Sequence, residues 1–173
     1  MRRIAIIVGS KSDLKQCKEG LKFLKSLSST VFTFVYIRSQ HRHTLKLQQL
    51  LKELTENDLA DVIVTGAGMA NHLSGCTDAY LRYTLRNTRI PVIGVAFEDP
   101  KSEENTNAAI LSMKCVPKTQ LIFRNEFDVF CGPDGFLEAC ELAVSEDLPK
   151  PHLPEPVEYL DLTLEEAMFL AGD

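Results

Sequence analysis

No C-x-x-C cysteine pair, no long apolar run and no surplus of basic side chains occurs in this 173-residue chain. Its five cysteines, Cys17, Cys76, Cys115, Cys131 and Cys140, stand singly, and the odd count leaves at least one thiol free. A reducing, cytoplasmic setting is expected from that usage. The longest apolar run near the N-terminus, Ile4 to Val8, is too short for a signal-peptide core or a membrane span, so a soluble protein with no membrane partner is expected. Against 19 Lys and Arg stand 24 Asp and Glu, a formal net charge of -5. That balance argues against nucleic acid as a partner, because duplex binding rests on cations that displace counterions from phosphates. The chain has no H-E-x-x-H, no Walker loop and no nucleophile elbow, which leaves metalloprotease, NTPase and serine-hydrolase chemistry without a carrier. A small molecule becomes the default partner.

What is present is apolar material, 45% of all residues. At this length folding buries roughly two-thirds of the chain's surface, so packing alone can supply a core. Strand and helix patterns alternate. Ile4 to Val8 reads as a strand buried on both faces and closed by Gly9. Leu14, Cys17, Leu21 and Leu24 then recur at helical spacing, with Ser10, Ser12 or Asp13 as the cap. Val31 to Ile37, rich in β-branched and aromatic residues, predicts a second strand, and Leu47, Leu50, Leu51 and Leu54 mark a helix over 45–54. Asp61 to Thr65 predicts a third strand, followed by Gly66-Ala67-Gly68 and a helix to about Arg86. Ile90 to Phe97 predicts a fourth strand, Ala108 to Met113 a short helix and Gln120 to Phe123 a fifth strand. Phe136 to Val144 predicts a helix after a turn at Cys131 to Gly135.

Such alternation needs right-handed crossovers and a parallel sheet covered on both sides. The expected fold is α/β: three layers, α/β/α, around a central parallel sheet, flavodoxin-like or Rossmann-like, as one domain over 1–147. Prolines 149, 151, 154 and 156 make Leu148 to Pro156 an extended arm, and Thr163 to Leu170 predicts a short amphipathic helix within a tail of 148–173. A helix this short needs a surface to dock on, either its own domain or, as favoured here, a neighbouring subunit.

Open parallel sheets bind ligands at the carboxyl ends of their strands, a rule that selects three loops before any motif is recognised. The first, Gly9-Ser10-Lys11-Ser12-Asp13, places hydroxyls and N–H groups at a helix start, where an anion is favoured, and a carboxylate suited to sugar hydroxyls. Simple helix capping is the competing reading. The second, Ser39-Gln40-His41-Arg42-His43, sets an acid–base imidazole beside a permanently charged anion clamp, with His43 read as a solvated turn residue. The third, Gly66-Ala67-Gly68-Met69-Ala70-Asn71-His72, resembles part of a dinucleotide fingerprint, but Asn71 replaces its third glycine and the loop follows the third strand. Close backbone approach to a ligand at Gly66 and Gly68, with His72 just inside a helix, is the better reading.

Together the Gly9 to Asp13 turn, the Ser39-x-His41-Arg42 loop and the Gly66-to-Gly75 turn with its His72-Leu73 pair resemble the N5-carboxyaminoimidazole ribonucleotide mutase (PurE) family of purine biosynthesis. The likeness runs from about Ile4 to Pro117 and includes Pro91 to Val95 and the Ser112-to-Pro117 turn. It implies an isomerase that needs no metal or organic cofactor, or a closely related carboxylase (a lyase) acting on the aminoimidazole ribonucleotide. Carbon dioxide leaves the exocyclic nitrogen and is recaptured at ring carbon C4. By the same resemblance, His41 is the proton shuttle and His72 a second catalytic residue. The substrate-binding set is Gly9, Ser10, Asp13, Ser39, Arg42, Gly66, Ala67, Gly68 and Leu73: Ser10, Ser39 and Arg42 for the 5′-phosphate, Asp13 for the ribose, and the glycine turn with Leu73 for the base. A homo-octamer is implied as well. Departures cluster near the expected pocket: Gln40 for alanine, Met69 for glycine, Asn71 for alanine, Ser74 for proline, Ala108 for aspartate and Cys115 for glutamine. They leave two alternatives open, a non-catalytic phosphoribosyl-nucleotide-binding protein and a carboxylase of another heteroaromatic nucleotide.

Overall fold

A computed structural model, which describes residues 1–172, resolves the alternation into a five-stranded, all-parallel sheet of order β2-β1-β3-β4-β5. The strands are β1 (Arg2–Val8), β2 (Val31–Ile37), β3 (Val62–Ala67), β4 (Val92–Ala96) and β5 (Phe130–Cys131). Alternate side chains leave each strand on opposite faces. Ala5, Ile7, Ile63 and Val92 pack with the leucines of α2 (Thr44–Glu56), Leu73 of α3 (His72–Ala79) and Met113 of α4 (Glu103–Lys114). Ile4, Ile6, Val8, Val64 and Val95 pack on the other side with Leu24 of α1 (Lys18–Ser26) and Phe136 and Cys140 of α5 (Gly132–Ala143). This is the three-layer α/β/α fold that the sequence pattern predicts. Burying each such aliphatic side chain is worth about 1.5–3 kcal/mol.

Several boundaries differ from the sequence reading, each for a local reason. The chain enters the first helical region through a 3-10 turn, Lys11–Lys15, and the α-helix starts only at Lys18. The third helix is α-helical only to Ala79 and passes into a π-helical turn, Tyr80–Thr84, where the buried Arg82 side chain reaches Asp78 and the carbonyls of Asn87 and Ile90. Helix α4 begins earlier, because Ser102 Oγ accepts the Asn105 N–H at 3.1 Å and caps it. Residues 120–123 are not the fifth strand: only Ile122 bridges β4, at Ile93, while the Asp78 carboxylate takes the Gln120 N–H at 2.8 Å. The strand that continues this edge is Phe130–Cys131, and residues 132–135, read as a turn, already belong to α5, entered through Gly132 at φ +67°.

The tail leaves the domain along a clip between Gln120 and His152. The Gln120 amide donates to the His152 carbonyl at 2.9 Å and accepts its N–H at 2.8 Å, with Pro151 and Pro154 buried beside it. Beyond it, α6 (Leu164–Ala171) is capped by Thr163 and Glu166, and none of its residues is buried. No helix among the described residues is long and apolar enough to cross a membrane.

Candidate active site

Strand register decides where the loops meet. Val8 lies level with Ile37 on β2 and with Gly66 on β3, and Gly66 lies level with Val95 on β4. The loops leaving these strands therefore share one rim, stitched by backbone bonds from Arg38 to Val8 (2.8 Å), Gly9 to Gly66 (3.1 Å) and Phe97 to Ala67 (2.9 Å). Between them opens a cleft of about 790 Å³, in the size range of small-molecule sites.

The cleft wall is built by Gly9, Ser10 and Asp13 from the first loop, Ser39, His41 and Arg42 from the second, and Ala67, Gly68 and Leu73 from the third. Gly66 and His72 stand off this wall. A Cβ on Gly66 would lie 2.4 Å from the Phe97 ring, so that glycine serves packing on the α1/α5 side of the sheet; at Gly68 the added carbon meets the Phe97 carbonyl at 3.5 Å and its Cβ at 3.8 Å, ordinary contacts. Gly68 is thus the glycine placed to let a ligand approach the backbone.

In the first loop Asp13 takes up a capping role. Its carboxylate accepts the Ser10 N–H at 2.8 Å, so that N–H is not free for an anion, and Ser10 Oγ lies 2.6 Å from Ser12 Oγ. Burial pushes the Asp13 carboxyl above its ordinary range, opposed by its bonds to Ser10 and Gly9 and by the charge of Arg42. In the second loop Ser39 is buried. Its Oγ accepts the Arg42 N–H at 3.3 Å, and its N–H donates to His43 Nδ1 at 3.1 Å. His43, exposed as expected, therefore also closes the turn. Arg42 reaches back to the Gly9 carbonyl at 3.3 Å, tying the second loop to the first and leaving its guanidinium exposed at the rim.

His41 and His72 meet across the gap between the second and third loops. His41 Nε2 lies 2.9 Å from His72 Nδ1, with ring centroids 5.1 Å apart and planes at 80°. Both rings are exposed.

A fourth loop completes the cleft. Glu98 and Asp99 after β4, with Asn105 and Ala108 of α4, line it together with Ser12, Gln16, Gln40, Met69 and Ala70. Gln16 holds the Glu98 backbone from both sides, donating to its carbonyl at 2.8 Å and accepting its N–H at 3.0 Å. Asp99 accepts from the Asn105 amide and the Lys101 N–H, and these bonds hold its carboxyl below the usual range. The strand-end rule, applied to the fourth strand as to the first three, reaches Glu98 and Asp99.

The departures at Gln40, Met69 and Ala108 lie on the cleft wall, whereas Cys76 and Cys115 do not. Asn71 does not narrow the cleft either. It is fully buried, donating to the Val95 carbonyl at 2.9 Å and capping α3 through Ser74.

The AIR carboxylase family model matches residues 3–122. The N5-carboxyaminoimidazole ribonucleotide mutase of Saccharolobus solfataricus is 32% identical over 117 residues, covering 68% of this chain and 66% of that protein. Its namesake from Pyrococcus abyssi is 37% identical over 95 residues, 55% of this chain and 49% of the relative. The phosphoribosylaminoimidazole carboxylase of Archaeoglobus fulgidus is 34% identical over 115 residues, 66% and 56%. The chain thus spans between about half and two-thirds of the length of these curated relatives. The crystal structure of Treponema denticola PurE, at 20% identity, superposes with a TM-score of 0.57 over 83% of this chain and 87% of that one, a likeness of fold. With its three rim loops inside the matched segment and the same sheet beneath them, this chain belongs to the AIR carboxylase (PurE) family.

Proposed function

We propose that the protein moves a carboxyl group between the exocyclic nitrogen and ring carbon C4 of an aminoimidazole ribonucleotide, the reaction named for its mutase relatives. The observation that carries this reading is the position of His41, on one cleft wall with Arg42, Asp13 and the backbone at Gly68. Arg42, with Ser10 and Ser39, binds the 5′-phosphate, Asp13 the ribose, and Gly68 with Leu73 the base. Gly9 and Ala67 shape the wall beside them, and Gly66 supports it through Phe97.

The chemistry needs one proton in and one out. Breaking the N–C bond releases carbon dioxide and leaves the nitrogen to take a proton; the electron-rich C4 then attacks carbon dioxide, and loss of the C4 proton restores the aromatic ring. A single imidazole beside the ring performs both transfers, and a closed pocket keeps the gas at hand. The isomerase reading uses the carbamate as carboxyl donor, and the lyase reading uses free carbon dioxide. A cytoplasmic homo-octamer is part of the proposal, supported by the exposed apolar residues Leu164, Met168, Phe169 and Leu170 of α6.

The purified protein, offered the carbamate or the free aminoimidazole ribonucleotide with bicarbonate, is expected to form the C4-carboxylated product. His41→Asn is expected to abolish turnover with unchanged melting. Absence of product from either substrate overturns the proposal. One observation favours a second reading: Gln40 and Met69, larger than their counterparts in the family, sit on the cleft wall. Calorimetric binding of the ribonucleotide without turnover identifies a ligand-sensing protein instead.

A further inference from the structure

The mechanism above requires His41 to offer one unprotonated ring nitrogen, and the structure bears on which one. His41 Nε2 and His72 Nδ1 are 2.9 Å apart, so one of these two atoms holds the hydrogen and the other accepts it. If His41 donates, both rings keep the proton on Nε2, the form a neutral imidazole favours in water. If His72 donates, both rings are forced into the less favoured form with the proton on Nδ1.

We propose that His72 is a positioning residue: it accepts the His41 Nε2–H, fixes that tautomer, and leaves His41 Nδ1 as the basic atom of the ring that lines the cleft. His72 itself stands off the cleft wall, and its effect on the reaction passes through His41. The same device, a partner on the far nitrogen selecting the tautomer, organises histidine ligands and bases generally. This inference rests on the proton-carrying role of His41 only for its consequence in catalysis; the tautomer itself is a property of the free protein.

The test is nitrogen-15 NMR of the imidazoles in the ligand-free full chain, at a pH where both rings are neutral. His41 is expected to show a protonated Nε2 and an unprotonated Nδ1. His72→Leu, which removes the acceptor, is expected to shift His41 toward a mixture of tautomers. His72→Asn, which keeps an acceptor near the old Nδ1 position, is expected to restore the wild-type pattern. In turnover, His72→Leu is expected to lower kcat by about tenfold to a hundredfold with little change in KM, and His72→Asn to recover part of it. A wild-type His41 protonated on Nδ1, or a tautomer pattern that ignores His72→Leu, overturns the inference. Because the spectra are read without substrate, an inactive wild-type protein would sink the proposed reaction and leave this assignment standing or falling by itself.

Discussion

Asn71 Oδ1 accepts two hydrogen bonds from Ser74, from the backbone N–H at 3.2 Å and from Oγ at 3.1 Å. At both positions the resemblance seen in the sequence implies a different residue, alanine at 71 and proline at 74. The departures answer each other: proline has no N–H to cap, whereas serine brings one into a buried helix start and asparagine satisfies it. Thr65 extends the network by donating to Ser74 Oγ at 2.9 Å.

Asn71→Ala is therefore expected to destabilise the fold by about 1–3 kcal/mol, since a cap is lost and the Ser74 N–H is left buried without a partner. Adding Ser74→Pro is expected to restore part of that loss. Urea denaturation of the two single variants and the double variant reads the coupling, and strict additivity would refute it.

Arg82 is 1% exposed and its guanidinium bonds Asp78 at 3.0 Å and the carbonyls of Asn87 and Ile90, both at 2.6 Å. Burial outweighs the Asp78 charge and lowers its basicity. Removing it leaves the buried Asp78 carboxylate without a counter-charge, held only by the Gln120 N–H and the Thr119 hydroxyl. Arg82→Ala is expected to cost about 3–5 kcal/mol, measured by thermal or denaturant unfolding, and a loss below 1 kcal/mol would show that the network is dispensable.

Asp61 accepts from Arg3 through both its guanidinium and its backbone N–H, the latter at 2.8 Å, and these bonds hold its carboxyl below the ordinary value. A depressed carboxyl binds fewer protons in the folded state. Its contribution is thus present above the unfolded carboxylate value near about pH 3.9 and is lost as pH falls through the folded value. Solvent reaches the pair, so Asp61→Asn is expected to cost only about 0.5 kcal/mol at neutral pH, with the difference vanishing in strong acid. A gap that widens on acidification would contradict the assignment.

Met69 adopts φ +55° on the cleft wall, a left-handed conformation at which its Cβ is crowded. Met69→Gly is expected to be neutral or to stabilise by about 1 kcal/mol, and Met69→Val to destabilise. The reverse ranking in melting experiments would show that this turn is not strained.

The layers, the order of elements and the three rim loops were legible from strand and helix periods because each buried strand reads as a short apolar run. The fifth strand was not. Only two residues, Phe130 and Cys131, form it, while of the β-prone stretch at 120–123 only Ile122 pairs with β4 and the Gln120 N–H goes to Asp78, a side chain distant in sequence. The candidate site divides in the same way. Loop membership followed from strand ends, and so His41, Arg42 and Gly68 reached the cleft as expected. Side-chain direction did not follow from sequence, which is why Asn71 turned inward to the Val95 carbonyl, and Gly66 proved to face Phe97.

Because Val8, Ile37, Gly66 and Val95 stand level, the rim loops spring from the same height on a sheet whose inner strands β1, β3 and β4 are buried. Loop residues can be exchanged without disturbing the scaffold below. Gln40, Met69 and Ala108 stand on the wall and none of them belongs to a strand, so substitutions there alter the lining of the cleft without touching the strand pairing beneath.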